Sequence, residues 1–420
     1  MRNIVEFDVL SQDFHCNPYP AFERLHANNQ VFRDSEFNAY LFGHYEDVCH
    51  ILHSPDFTTK PLAKRAEPVT GGRVLAQMEG KEHHSKRRAV LSGLTGKLFR
   101  EKYAAIIETI TLQLLEAHMA CGNFDLIKNF GRQYSVLVSL NVLGLPTDRH
   151  REIAIWHRGI THFITSLKLS DEERKHSLLC SQNLIDYLTP IIENVSFHPD
   201  DSLISMLCSA EDHGEKMATS EIVALVINVL LAATEPADKA LASLFYHLLR
   251  NPHCIERVRS DRKLMNAAIA ETLRLTSPVQ LIPRQASKDL TVAGIDLPKD
   301  TIIFCMIGAA NRDPSVFPDP GSFMLDRRQQ AKNIAESGKI MNHLAFGTGV
   351  HACVGTAFSL MQLELTANLL LDRLENLRLA EGYVLQEEGL YVRGPATMCL
   401  QFEPQFGLGH NGTAARETGI

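Results

Sequence analysis

His343-Leu344-Ala345-Phe346-Gly347-Thr348-Gly349-Val350-His351-Ala352-Cys353-Val354-Gly355 is the segment on which the reading of this chain turns. Three glycines crowd one cysteine, and an apolar-periodic run, Thr356-Ala357-Phe358-Ser359-Leu360-Met361, follows at once. The spacing predicts a glycine-rich loop that delivers Cys353 to a helix N-terminus. Unpaired N–H groups and the helix dipole there favour a thiolate over a thiol. Gly349 and Gly355 let a flat ligand and the backbone approach closely, and Phe346 is placed to cover the sulfur. The bland alternative, a structural cysteine in a turn, does not account for F-x-x-G-x-H-x-C-x-G. A zinc site on His351 and Cys353 would need two more ligands, and none is evident nearby.

Working outward, the chain has 420 residues, with 42 Lys+Arg against 49 Asp+Glu and a net charge of −7. Apolar residues at 45% and charged residues at 22% are ordinary globular usage. A pI near 6.3 without a basic block argues against nucleic acid as a partner. The first twenty residues lack a signal-peptide pattern. No stretch approaches the ~18 uncharged apolar residues of a membrane span. Nine scattered cysteines form no C-x-x-C and no C-x-x-C-H. These features predict a soluble, cytoplasmic protein with reduced thiols.

Residues 39–53 read as strand, turn and helix, and 57–80, with Pro61, Pro68, Gly71 and Gly72, as a long loop. Helical period dominates 81–275. The run from Ser220 to Leu249 is almost wholly apolar, interrupted by Thr234-Glu235-Pro236. Residues 281–305 suggest hairpins, a helix returns at 355–374, and 383–403 read as a last β segment. The expected organisation is one domain over 1–405, mainly α with a small β portion, and a frayed tail over 406–420. A G-x-G-x-x-G at 407–412 lacks the strand–turn–helix context of a dinucleotide site.

The cysteine segment closely resembles the haem-binding loop of the cytochrome P-450 superfamily. Other motifs agree in order. Glu271-Thr272-Leu273-Arg274 resembles the family's buried Glu–Arg pair, about 80 residues before the cysteine. Asn311-Arg312-Asp313-Pro314, with Phe317-Pro318-Asp319-Pro320 and Phe323, resembles its meander segment. The resemblance implies the P-450 fold, with a long helix over the haem, the cysteine loop beneath it, and a haem-thiolate monooxygenase activity. It implies haem b with Cys353 as metal ligand. The cofactor contacts it implies are Phe346, Gly349 and Gly355 in the loop, with His83, Arg87, Arg284 and His351 toward the propionates. His84 and Arg88 are adjacent decoys expected to face elsewhere.

Over the other haem face the family usually reads A/G-G-x-D/E-T-T/S. This chain has Ala232-Ala233-Thr234-Glu235-Pro236-Ala237. The resemblance makes Ala232, Glu235 and Pro236 the catalytic candidates. Ala232 leaves room for O2 and Glu235 retains the acid that relays protons. Pro236 replaces the alcohol, and a proline inside a helix removes one N–H and is expected to open or kink it. The missing donor is then a bound water or a polar group of the substrate.

Further stretches resemble members that oxidise the cyclodipeptide cyclo-dileucine. They include Val74-Leu75-Ala76-Gln77-Met78 and Gly389-Leu390-Tyr391-Val392-Arg393-Gly394-Pro395. Val74, Leu75, Val279, Leu281, Ile282, Leu390 and Val392 are the candidate substrate contacts. Another hydrophobic natural product is the runner-up substrate. A haem sensor or electron carrier has no need of Glu235, and a peroxide-using enzyme would carry an Arg that 220–249 lacks. No flavin or iron–sulfur motif is present. Electrons are expected from a separate acidic ferredoxin or flavodoxin, docking near Arg87, Arg88, Lys97 and Arg100.

Overall fold

Recurrence of apolar side chains at helical spacing produces most of the architecture, and 58% of the described residues are helical. The computed structural model describes residues 2–95, 97–212, 215–327 and 342–403, without the side chains at 97, 98 and 212. The expected tail over 406–420, the 407–412 glycine pattern and the Lys97 side chain lie outside the described residues.

The axis of the structure is one helix, Thr219–Arg250. By length and composition it could cross a membrane. Here its apolar residues, among them Val226, Ile227, Leu230, Leu241 and Phe245, are buried in the helical core. Pro236 does not break it: the helix runs continuously through that position, against the expectation of an opening. Neighbouring turns and tertiary packing on both sides hold the backbone helical where one N–H is missing.

Helices Arg132–Leu143, His150–Thr165 and Asp171–Phe197 pack against this axis. Met265–Leu275 and Thr356–Arg373 also pack against it, and Lys97–Glu116 packs on Thr356–Arg373 and Arg132–Leu143. A six-stranded sheet stands apart, in the order Asn3–Glu6, Gln30–Asp34, Ala39–Phe42, Ile302–Met306, Leu281–Ala286, Phe57–Thr58. Its two faces carry two smaller cores. The tight hairpin at Ala293-Gly294, both at positive φ, joins Leu290–Val292 to Ile295–Leu297.

The expected long loop at 57–80 is a correction. It contains an eleven-residue helix, Lys60–Thr70, with Pro61 in its first turn and Gly71 at φ +69° ending it. Proline is tolerated in a first turn because that N–H has no helical partner. Counting prolines as breakers therefore misread the segment.

Candidate active site

Cys353 stands where its sequence predicts. The loop is closed by hydrogen bonds from the Gly347 N–H to Leu344 O and from the Cys353 N–H to Phe346 O, each 2.8 Å. A 3-10 turn, Gly349–His351, precedes the cysteine, and Gly355 opens the helix Thr356–Arg373. Gly349 is at φ +74°, and a Cβ there would lie 2.6 Å from the Leu52 carbonyl oxygen. Only glycine lets the loop seat this closely on the helix Tyr45–His53.

Above the loop lies a cavity of about 430 Å³. Cys353, His351, Phe346 and Arg284 line it from one side, and Ala232, Ala233, Glu235 and Pro236 from the other. Cys353 and Ala232 are both exposed, and the surface they expose is cavity wall. Protein nevertheless surrounds the sulfur closely, and this burial pushes the thiol up. The Gly355 N–H, the Thr356 hydroxyl and the Arg87 charge pull the other way without prevailing. The thiolate favoured by the loop thus still lacks a cation.

Two imidazoles and a buried guanidinium lie at the loop. His83 is buried, and its ring centroid lies 4.4 Å from that of His351. Burial, then Arg284, His83 and Arg87, hold the His351 imidazole down at about 4. Burial, then Arg87 and His84, lowers His83. Arg284 is 4% exposed, and its one hydrogen bond among the described residues is to the Pro283 carbonyl. Burial lowers its guanidinium too. Desolvated cations without a paired carboxylate are costly. This donor set, one sulfur, the buried Arg284 guanidinium, the half-buried Arg87 and two imidazoles held toward their neutral, hydrogen-bonding form, fits a flat metal porphyrin with two anionic propionates. His84 and Arg88, one residue along in each case, are exposed as expected.

Behind the loop, Glu271 and Arg274 form a bidentate pair, both contacts 2.9 Å. Arg327 adds a third member, its Nε donating to Glu271 Oε1 at 2.7 Å. The two guanidiniums then bind the carbonyls of Asn311, Pro318, Asp319, Pro320 and Ser322. Sequence reading missed Arg327. Its signal was available, an arginine four residues after Phe323 in the meander segment.

The substrate candidates divide. Val74, Val279, Leu281, Ile282 and Val392 line the cavity. Leu75 and Leu390 do not: Leu75 is in the helical core, and Leu390 packs on the sheet. Ala76, in the 3-10 turn Leu75–Gln77, and Tyr391 line the cavity beside them. Asn228, one turn before Ala232, also lines the cavity and was missed. Thr234 does not: its hydroxyl bonds back to Leu230 O at 2.6 Å. Glu235 has one unpartnered buried oxygen, and Lys239 Nζ stands 3.9 Å from the other. Burial raises its carboxyl, with Lys239 opposing.

Comparison with known proteins follows this geometry. The family model described as Cytochrome P450 matches residues 152–381. The chain is 46% identical over 403 residues to pulcherriminic acid synthase of Bacillus subtilis (strain 168), covering 96% of this chain and 99% of that protein. Among solved structures, CalO2 superposes with a TM-score of 0.84 at 22% identity, over 95% of this chain and 99% of that one. The Bacillus subtilis 168 bacillaene polyketide synthase cytochrome P450 PksS gives 0.83 at 23%, over 94% and 99%. A cysteine with a buried arginine at one cavity, the shared fold and a near-full-length relative agree, and the chain belongs to the cytochrome P450 family as a monooxygenase.

Proposed function

We propose that this monooxygenase oxidises cyclo-dileucine to pulcherriminic acid, by N-oxidation and ring dehydrogenation over several turnovers. The observation that carries the reading is the cavity lining, taken with the 46% identical relative of that activity. Val74, Val279, Leu281, Ile282 and Val392 offer apolar contact to two isobutyl groups. Asn228 brings the lining's one carboxamide among the described residues. A ring lactam is held cis, so its N–H and C=O lie on one edge. A primary carboxamide presents one donor and one acceptor and can pair with that edge twice.

A bound haem supplies the one-electron and dioxygen chemistry that side chains lack. Cys353 would hold its iron as a thiolate, whose electron donation favours O–O cleavage. His83, Arg87, Arg284 and His351 would hold the propionates, and Phe346, Gly349 and Gly355 would shape the loop against it. The group is assigned as haem b because the chain has no C-x-x-C-H for covalent attachment. Ala232 leaves space on the opposite face. Glu235 holds and passes protons at its unpartnered oxygen, the role that its raised carboxyl suits.

The reaction also takes O2 and electrons from a separate partner. We assign that partner as an acidic ferredoxin or flavodoxin, meeting Arg88 and Arg100, which are exposed on the cysteine side. The nine cysteines are all free thiols, in keeping with a cytoplasmic, soluble enzyme. The test is titration of the ferric protein with cyclo-dileucine. Displacement of water from the haem should shift its absorption spectrum at micromolar ligand. No shift, together with no product by mass spectrometry, would leave another hydrophobic natural product as the substrate.

A further inference from the structure

A second cavity, of about 330 Å³, lies beside the first and shares Thr161, Thr165 and Glu235 with it. Its walls are polar where the first is apolar. Among its lining residues, Thr161, Glu235 and Asp238 each carry a buried oxygen without a hydrogen-bond partner. Each such atom costs about 1–3 kcal/mol if left dry, and a small side-chain shift would open it to a space large enough for several waters. Glu235 stands at the boundary with the first cavity. His162 and Glu388, with side chains about half exposed, stand at the solvent side. Lys239 Nζ lies between the two acids, 3.9 Å from Glu235 and 3.8 Å from Glu388.

We propose that this cavity is a hydrated proton antechamber in which Asp238 relays protons from solvent to Glu235. The inference rests on the reading of Glu235 as the proton-delivering acid. Asp238 follows Glu235 by three positions on the same helix, so both face one chamber. It is 7% exposed, and the backbone of Gly131 closes over its Cβ. Burial pushes its carboxyl up to about 7, with Lys239 and Arg132 opposing and Glu235 reinforcing. Both protonation states are then populated near neutrality. Removal of one oxygen atom of O2 as water takes two protons and two electrons. The electrons come from the external partner. When Glu235 has given up a proton it is a carboxylate. It regains one through water from the Asp238 carboxylic acid, and Asp238 regains its own from solvent at the His162–Glu388 mouth. Pro236 removes the hydroxyl that such enzymes usually place beside the acid, and the antechamber supplies water in its stead.

The experiment pairs Asp238→Asn with Asp238→Glu and with Glu235→Gln in the haem-loaded protein. In Asp238→Asn we expect the peroxide released per electron pair to rise and product formation to fall, on the order of tenfold or more. Spectral binding of cyclo-dileucine should be unchanged. Asp238→Glu should recover coupling. Two readouts are independent of turnover. A high-resolution crystal structure should show waters bonded to Thr161, Glu235 and Asp238. Infrared difference spectra in H2O and D2O should show a protonated carboxyl that Asp238→Asn removes. A dry chamber, or normal coupling and an unchanged solvent isotope effect in Asp238→Asn while Glu235→Gln is slowed, would overturn the antechamber. Unimpaired turnover in Glu235→Gln would instead overturn the reading of Glu235 on which it rests.

Discussion

Asn311 joins the buried Glu271–Arg274 pair to the cysteine loop: its Oδ1 accepts the Leu344 N–H at 2.7 Å, and its Nδ2 donates to Ser277 Oγ at 2.7 Å. Arg274 in turn donates to the Asn311 carbonyl at 2.9 Å. The first residues of the loop are thereby fixed from a helix about 70 residues earlier. Asn311→Ala leaves a buried amide without an acceptor, which costs about 1–3 kcal/mol. The thermal midpoint should fall by a few degrees and haem should be lost faster to apomyoglobin. Asn311→Asp, which keeps the acceptor oxygen, should recover part of both.

Removal of the sulfur tests the proposed iron ligand directly. Cys353→Ala should keep the far-ultraviolet circular dichroism of the parent, because the loop is closed by backbone hydrogen bonds that the side chain does not make. The reduced, CO-treated protein should lose the absorption band typical of thiolate-bound haem. Persistence of that band would exclude Cys353 as the ligand.

Arg284 should affect the empty and the loaded protein in opposite directions. Its guanidinium is buried without a carboxylate among the described residues. Arg284→Leu removes a desolvated charge and should raise the melting temperature of the haem-free protein. The same change removes a propionate partner, so haem transfer to apomyoglobin should accelerate about tenfold, the equivalent of one charged hydrogen bond. A variant less stable in both forms would mark Arg284 as structural only.

Asn228→Leu retains an apolar wall and removes the carboxamide proposed to read a lactam edge. Loss of two hydrogen bonds of about 1 kcal/mol each predicts a dissociation constant for cyclo-dileucine roughly tenfold or more higher. An apolar ligand such as a fatty acid should bind the variant at least as well. Equal weakening for both ligands would point to a collapsed cavity.

Turnover with an acidic ferredoxin should fall as ionic strength rises, since exposed charges are screened beyond roughly 10 Å at 0.1 M salt. Arg88→Glu and Arg100→Glu should raise the KM for the reductant and flatten that dependence. Arg100 also ion-pairs with Glu364 at 3.6 Å, so its melting temperature is the control for structural loss.

The local signals were legible because their physics is local. The loop at Cys353 is written in glycines whose backbone conformation no other residue adopts readily, and Gly349 at φ +74° is the instance. His83 and Arg87 lie four apart on one helix, so any helical reading puts them together and turns His84 and Arg88 away. Leu75 and Leu390 lie off the cavity that Ala76 and Tyr391 line, because composition does not say which way a short stretch faces. Lys60–Thr70 differs from the expected loop because Pro61 sits in its first turn and Pro68 is accommodated inside the helix, and sequence does not separate either from a helix-breaking proline. The tertiary structure alone decided that Pro236 leaves its helix unbroken, that Arg327 completes the Glu271 cluster, and that Asp238 and Thr161 meet across a second cavity. Those outcomes depend on helices far apart in the chain packing against one another, and no spacing along a single segment records that contact.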